Sequence, residues 1–268
     1  MRPILSFILV FLALLQTGCV SLLFAAPPSN TFDSSEINES SGIIKSRHYK
    51  GIFWTHNDSG DTARIFAIRE DGSLVAEVKI KGAENVDWED IAAGDQGQLY
   101  ICDTGNNNGK GRNDLTIYLI PEPNPDTDKS VTVIRKIKFH YKSTSQIDAE
   151  ACFFASGHLY LLTKHRRALT ELYRLDPSKE EQLAEKVSEY KMPGMVTGAD
   201  VSADGKTLAV LTYLGVHIFD KPKGNDNYLA GVHKPVDVFF GQAEGIAFND
   251  AVLIITNEEG QLLTVPYQ

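Results

Sequence analysis

The feature that most restricts this chain is a short segment that recurs. Gln242-Ala243-Glu244-Gly245-Ile246-Ala247-Phe248 sets an acidic and a small residue in front of an alternating apolar strand. Versions of it stand at Ser41-Gly42-Ile43, Glu89-Asp90-Ile91, Glu150-Ala151-Cys152 and, degraded, Ala199-Asp200-Val201. The steps between copies are 48, 61, 49 and 45 residues. A repeat near this length with four short strands is a propeller blade, a unit that cannot bury both faces alone. Five copies predict an all-β fold, a five-bladed β-propeller spanning residues 30–268.

Between the copies, alternating apolar runs are separated by Gly- and Asp-containing turns, as antiparallel strands require. The second repeat is the longest. Its extra length falls in a Gly- and Asn-rich loop (103–114) and a Pro- and Asp-rich one (121–129), with Val131 to Tyr141 as the outer strand. Ser178 to Lys186 has a helical composition but is too short for more than a turn. The fifth repeat offers three strands, and a spare one, Thr31 to Ile37, precedes the first. Added to blade 5, the spare strand closes the ring and removes an exposed edge.

The chain has 268 residues and a net charge of −9, from 35 acidic against 26 basic residues. That balance argues against a nucleic-acid surface, which would want a basic stripe. Met1-Arg2 and the apolar run Ile4 to Leu15 read as a signal peptide over residues 1–26. It has two exits. Leu15-Gln16-Thr17-Gly18-Cys19 resembles a lipobox that would acylate Cys19, and the rival is cleavage after Ala25 or Ala26. Either route exports the protein to the periplasm or cell envelope, with the membrane touched only through a lipid on Cys19. Cys102 and Cys152 remain in the mature chain and are expected as two small buried residues rather than a bridge.

Innermost strands line a propeller's channel, so equivalent positions meet there. That layer would hold Ser41, Glu89, Glu150, Ala199 and Glu244, with Asp200 next to the weak copy. Three carboxylates about 5 Å apart repel by about 3 kcal/mol per pair at an effective dielectric of about 20. One proton relieves two of the pairs; a divalent cation relieves all three. With no His or Cys in the layer, the donors are hard oxygens, which favours Ca²⁺ over Zn²⁺. The metal candidates are Ser41, Glu89, Glu150, Asp200 and Glu244.

The loops after each second strand open on the same face. From them come the ligand candidates Asn57, Asp58, Asp103, Asn106, Lys164, His165, Arg166, Tyr213 and Asn257. Mixed polarity beside a buried cation suits a small anionic or polyhydroxy ligand, or an envelope protein. The same residue types also serve tight turns. Trp54 and Trp88 are expected to pack between blades, Trp88 being the better ligand candidate of the two.

The mature chain resembles the SdiA-regulated family of exported bacterial propellers. The resemblance rests on Glu39-Ser40-Ser41-Gly42-Ile43, Asp87-Trp88-Glu89-Asp90-Ile91, Asp148-Ala149-Glu150-Ala151 and Gln242-Ala243-Glu244-Gly245-Ile246-Ala247, in that order. It implies the propeller fold and a calcium-occupied channel rather than a reaction. The layout is also similar, more distantly, to calcium-activated nucleotidases (apyrases), with Glu89, Glu150, Glu244 and Ser41 on the positions that hold calcium there. In that resemblance Ala199 stands where a serine is expected, and Lys164, Arg166 and Arg167 would face phosphate oxygens.

Two functions follow. One is a monomeric, calcium-binding module that binds or scaffolds at the cell envelope. The other is a calcium-dependent hydrolase of phosphoanhydride, phosphoester or lactone substrates, with Asp58, Asp103 or Glu258 as general base.

Overall fold

The computed structural model describes residues 29–106, 111–142, 146–165, 169–238 and 240–267. The leader expected over residues 1–26, with Cys19, lies outside them, as do Arg166 and Arg167.

Five sheets follow one another along the chain. Their innermost strands are Ser40–Lys45, Trp88–Ala93, Ala149–Ala155, Val196–Val201 and Ala243–Asn249. Each packs against the inner strand of the next blade, and the fifth packs against the first. Apolar side chains gather in five clusters, one at each boundary between blades. The fold is the expected five-bladed propeller. Strands wedged between two neighbours are buried along nearly their whole length, while an outer strand such as Arg135–His140 alternates between core and solvent. Trp54 and Trp88 are fully buried between blades 1 and 2. Their indole N–H groups donate to Glu122 Oε1 and the Glu84 carbonyl, so neither is a ligand platform.

Blade 5 is completed from the other end of the chain, but by Ser29–Thr31 rather than Thr31 to Ile37. Ser29 lies opposite Leu263 and Thr31 opposite Gln261. The chain then leaves the sheet through Asp33-Ser34-Ser35, residues that hydrogen-bond locally and favour turns. Ile37 drops into the blade 5–blade 1 boundary with Ile43, Phe53 and Leu262.

Two other expectations are corrected. Val131 to Tyr141 is not one strand: Ser130–Thr132 runs parallel to the outer strand of blade 1, and only Arg135–His140 belongs to blade 2. The segment 178–186 carries no helix. Its Glu181–Leu183 pairs in parallel with the outer strand of blade 2. Outer strands present unpaired backbone groups, and covering that edge is worth more than an isolated turn of helix.

Cys102 and Cys152 form a disulfide, which overturns the expectation of two separate thiols. They sit in one buried cluster between blades 2 and 3. The bond therefore ties together the two blades that supply most of the acidic site.

Candidate functional site

Every inner strand carries a β-bulge near its start. The register shifts at Ser41, Glu89, Glu150, Thr197 and Glu244. An extra residue at such a point re-aims its side chain. The bulge in blade 4 lies at Thr197, so the true fourth copy of the repeat is Thr197-Gly198 and not Ala199-Asp200. The slip was two residues, a full strand period, which kept the same face and moved the position along the strand. The glycine after the bulge has a packing reason. A Cβ on Gly42, Gly198 or Gly245 would stand within 3.0 Å of the next blade's inner strand.

Three positions per blade build one mouth of the channel. The bulge residue is the first, the residue two before it is the second, and the residue just after the second strand is the third. They enclose a cavity of about 390 Å³ lined by Glu39, Ser40, Ser41, Asp58, Ser59, Glu89, Glu150, Lys164, Tyr213, Glu244 and Glu258. Glu89 sits in two acidic groups, one with Asp58 and Asp87 and one with Asp148 and Glu150, each with ligand atoms within 4.8 Å of one another. Glu244 belongs to neither. Its Oε1 accepts the Tyr213 hydroxyl at 2.8 Å, and Lys164 Nζ donates to Glu150 Oε2 at 2.9 Å and to Tyr213 Oη at 3.4 Å. The carboxylates thus gather between blades 1 and 3, not as an even ring of Glu89, Glu150 and Glu244. Ser41 lines the cavity but donates its hydroxyl to the Glu89 carbonyl.

The remaining candidates are placed elsewhere. Asp200 lies at the opposite end of its strand, its carboxylate accepting the Val201 and Phe248 N–H groups, and the structure does not bring it to the mouth. Asn57 and Asn257 are buried and brace their own hairpins, reaching Asp61 and Gln261 four residues on. Asp103 is sealed under Arg112 at 2.8 Å and accepts the Asp87 N–H, and it does not line the cavity. Asn106 ties its loop to Ile147 and Asp148. His165 stands beside Glu171, away from the cavity. Of the candidate bases, Asp58 and Glu258 line the mouth. Asp87 and Asp148 were missed as site residues, although the spacings Asp87-x-Glu89 and Asp148-x-Glu150 put each pair on one face of a strand.

No family model matches the chain, and no curated protein is significantly similar to it. Solved structures similar to it include selenomethionine-substituted virginiamycin B lyase from Staphylococcus aureus, at 15% identity over 89% of this chain and 69% of that chain, with a TM-score of 0.45. A catalytically inactive variant of that lyase with quinupristin gives 15% identity, 85% and 66% coverage, and a TM-score of 0.44. Likeness at this depth carries nothing about the chemistry of the mouth.

Burial dominates the electrostatics. It drives Glu89 well above the usual carboxylate range, with Glu150, Asp58 and Asp87 adding to the push. Burial moves Glu150 up to about 8 against the pull of Lys164, Asp87 up to about 6, and Glu244 up to about 7 despite its bond from Tyr213. Lys164 is also desolvated, but Glu150 carries it upward overall. Both shifts are upward, which favours a neutral acid on Glu150 but a charged amine on Lys164, and the 2.9 Å contact favours ammonium and carboxylate. A proton held in the cluster then belongs on Glu89, which no cation among the described residues touches.

Gly105 leaves the room this cluster needs. A Cβ there would collide with Glu89 Oε1 and Asp87 Oδ2. Gly105→Ala should therefore displace both carboxylates, and any divalent cation held by them should bind at least about tenfold more weakly. Far-ultraviolet dichroism should stay that of the parent. Unchanged affinity in calorimetry would contradict the geometry.

Proposed function

We propose that the protein is an exported, calcium-binding propeller that acts as a binding or scaffold module at the cell envelope. The ion would be held by Asp58, Asp87, Glu89, Asp148 and Glu150. The observation that supports this most is Glu150 Oε1, a buried oxygen with no hydrogen-bond partner beside Glu89 and Asp148. Leaving such an atom unpaired costs several kcal/mol, in the range of about 2–7. The surrounding donors are all carboxylates, a hard set without imidazole or thiolate that suits calcium's six to eight oxygen ligands. Bound there, the ion would supply positive charge and open positions for ligand oxygens.

Charge also narrows the ligand. Six carboxylates and one ammonium line the cavity, and the ammonium is bonded to Glu150. A divalent ion would offset part of this acidic surplus and leave the walls net acidic. A free anion gains little from such walls. A polyhydroxy ligand, free or displayed on an envelope protein, fits better. The disulfide belongs to an oxidising compartment, in keeping with export by the expected leader and with the resemblance to SdiA-regulated propellers.

The test is thermal melting with calcium and with chelator, followed by calcium-dependent binding of neutral oligosaccharides. Calcium should raise the melting temperature, and chelator should abolish oligosaccharide binding. No shift at millimolar calcium would end the proposal.

A pH dependence follows. Asp87, Glu244 and Glu89 titrate higher in the folded chain than in the unfolded one, where carboxylates titrate near about 4. The folded state therefore holds protons that the unfolded state has released, and stability is lost as pH rises through the folded values. In chelator, the melting temperature should fall between about pH 4 and pH 8. Saturating calcium should flatten that fall. A chelated protein that gains stability over the same range would contradict the burial of these acids.

A further inference from the structure

The other end of the channel holds a second cavity, of about 430 Å³, where the inner strands of blades 1, 4 and 5 finish. Its composition differs from that of the mouth. Ile44, Val201, Phe248 and Tyr267 supply apolar wall, and Lys45 and Arg47 supply cations. Small-molecule pockets are built this way, mostly apolar with a few placed polar groups.

The cations are only loosely committed. Lys45 Nζ meets Asp250 at 3.2 Å, but Asp250 is 91% exposed, and such surface pairs exchange at little cost. Arg47 donates through Nη1 to the Gly94 carbonyl at 3.3 Å and stands 4.0 Å from Asp95. No other donor of its five is engaged among the described residues. The opposing acid is Asp200, and two backbone N–H groups already answer its charge. Phe248 and Tyr267 meet edge to face at 5.1 Å, and the Tyr267 hydroxyl is anchored on the Asp250 carbonyl, which fixes that wall. At the mouth, by contrast, Lys164 is bonded to Glu150.

We propose that this far cavity binds a small organic carboxylate, with its apolar body against Phe248 and Tyr267 and its carboxylate toward Arg47 and Lys45. The anion-binding end of the propeller is then the face opposite the acidic mouth. This inference is independent of the calcium reading.

Benzoate and its neutral counterpart benzamide are the probes, titrated calorimetrically into the full mature chain. Benzoate should bind saturably and at least about tenfold more tightly than benzamide, the worth of one charge-assisted contact. Arg47→Gln should erase that preference, and Lys45→Gln should reduce it. Tyr267→Ala should weaken both probes alike, and Glu89→Gln should change neither. The proposal is overturned by no saturable benzoate binding up to about 10 mM. It is equally overturned by a preference that survives Arg47→Gln, or by binding lost in Glu89→Gln, which would put the ligand at the mouth.

Discussion

On the proposed calcium site, Glu89→Gln is expected to lower calcium affinity by about a hundredfold or more, yet to raise the melting temperature of the chelated protein at pH 8. Both effects come from one position. Glu89 is the only residue common to the two acidic groups, each with ligand atoms within 4.8 Å. Removing its charge takes a ligand from any ion held there. It also removes the cost of keeping a buried acid among like charges, whether that acid is ionised or held protonated above its ordinary range. Gln keeps the shape, so packing does not confound the comparison. Glu244→Gln is the matched control. It changes a carboxylate of the same cavity that lies outside both groups and is occupied by Tyr213, so calcium affinity should fall by less than about tenfold. An even axial ring would make the two substitutions equivalent. Calcium titrations of the two variants side by side decide between the arrangements.

Removing residues 29–37 has the largest effect expected on stability. It strips three paired residues from Gln261–Pro266 and empties the place of Ile37 between blades 5 and 1. One buried isoleucine contributes about 2 kcal/mol and each ladder hydrogen bond about 1 kcal/mol net, so the loss is about 5 kcal/mol. Against a typical total of about 5–15 kcal/mol, that leaves the ring barely closed. The strand Gln261–Pro266 would also become an open edge, prone to pairing with other chains. Urea unfolding should show an early transition, and size-exclusion chromatography should show association. A truncated chain that melts like the parent and stays monomeric would contradict closure by this segment.

The sequence makes the fold legible because the repeat is a packing requirement. Three of the five blades bring the inner strand against the next through a glycine, and Gly42, Gly198 and Gly245 recur for that reason, while blade 2 carries Asp90 there, which accepts the Cys152 N–H of the next blade. The short covering strands Ser130–Thr132 and Glu181–Leu183 were not legible. Their conformation is imposed by the edge of another blade, and local composition says nothing of that edge.

The site was legible in part. Glu89, Glu150, Glu244, Asp58, Lys164, Tyr213 and Glu258 do meet in one cavity. The hairpin candidates could have been sorted by alternation. Asn57, Asp103 and Asn257 end their strands turned inward to brace the loops, while the following Asp58 and Glu258 turn to the mouth. The misplacement of Asp200 came from a two-residue slip that no periodicity-two pattern can detect. Only the bulge at Thr197 reveals it. That the carboxylates crowd toward Glu89 depends on Asp87 and Asp148, and on the space left by Gly105, none of which the five-fold repeat encodes.

The central claim is that Glu89 and Glu150 share a divalent ion with the aspartates around them. Its most direct test is a calcium titration of the chelator-stripped mature chain by calorimetry, with metal content checked by elemental analysis. The account predicts saturable calcium binding that Glu89→Gln abolishes over the same concentration range. A stripped protein that takes up no calcium at millimolar concentrations, or one whose binding survives Glu89→Gln, would contradict it.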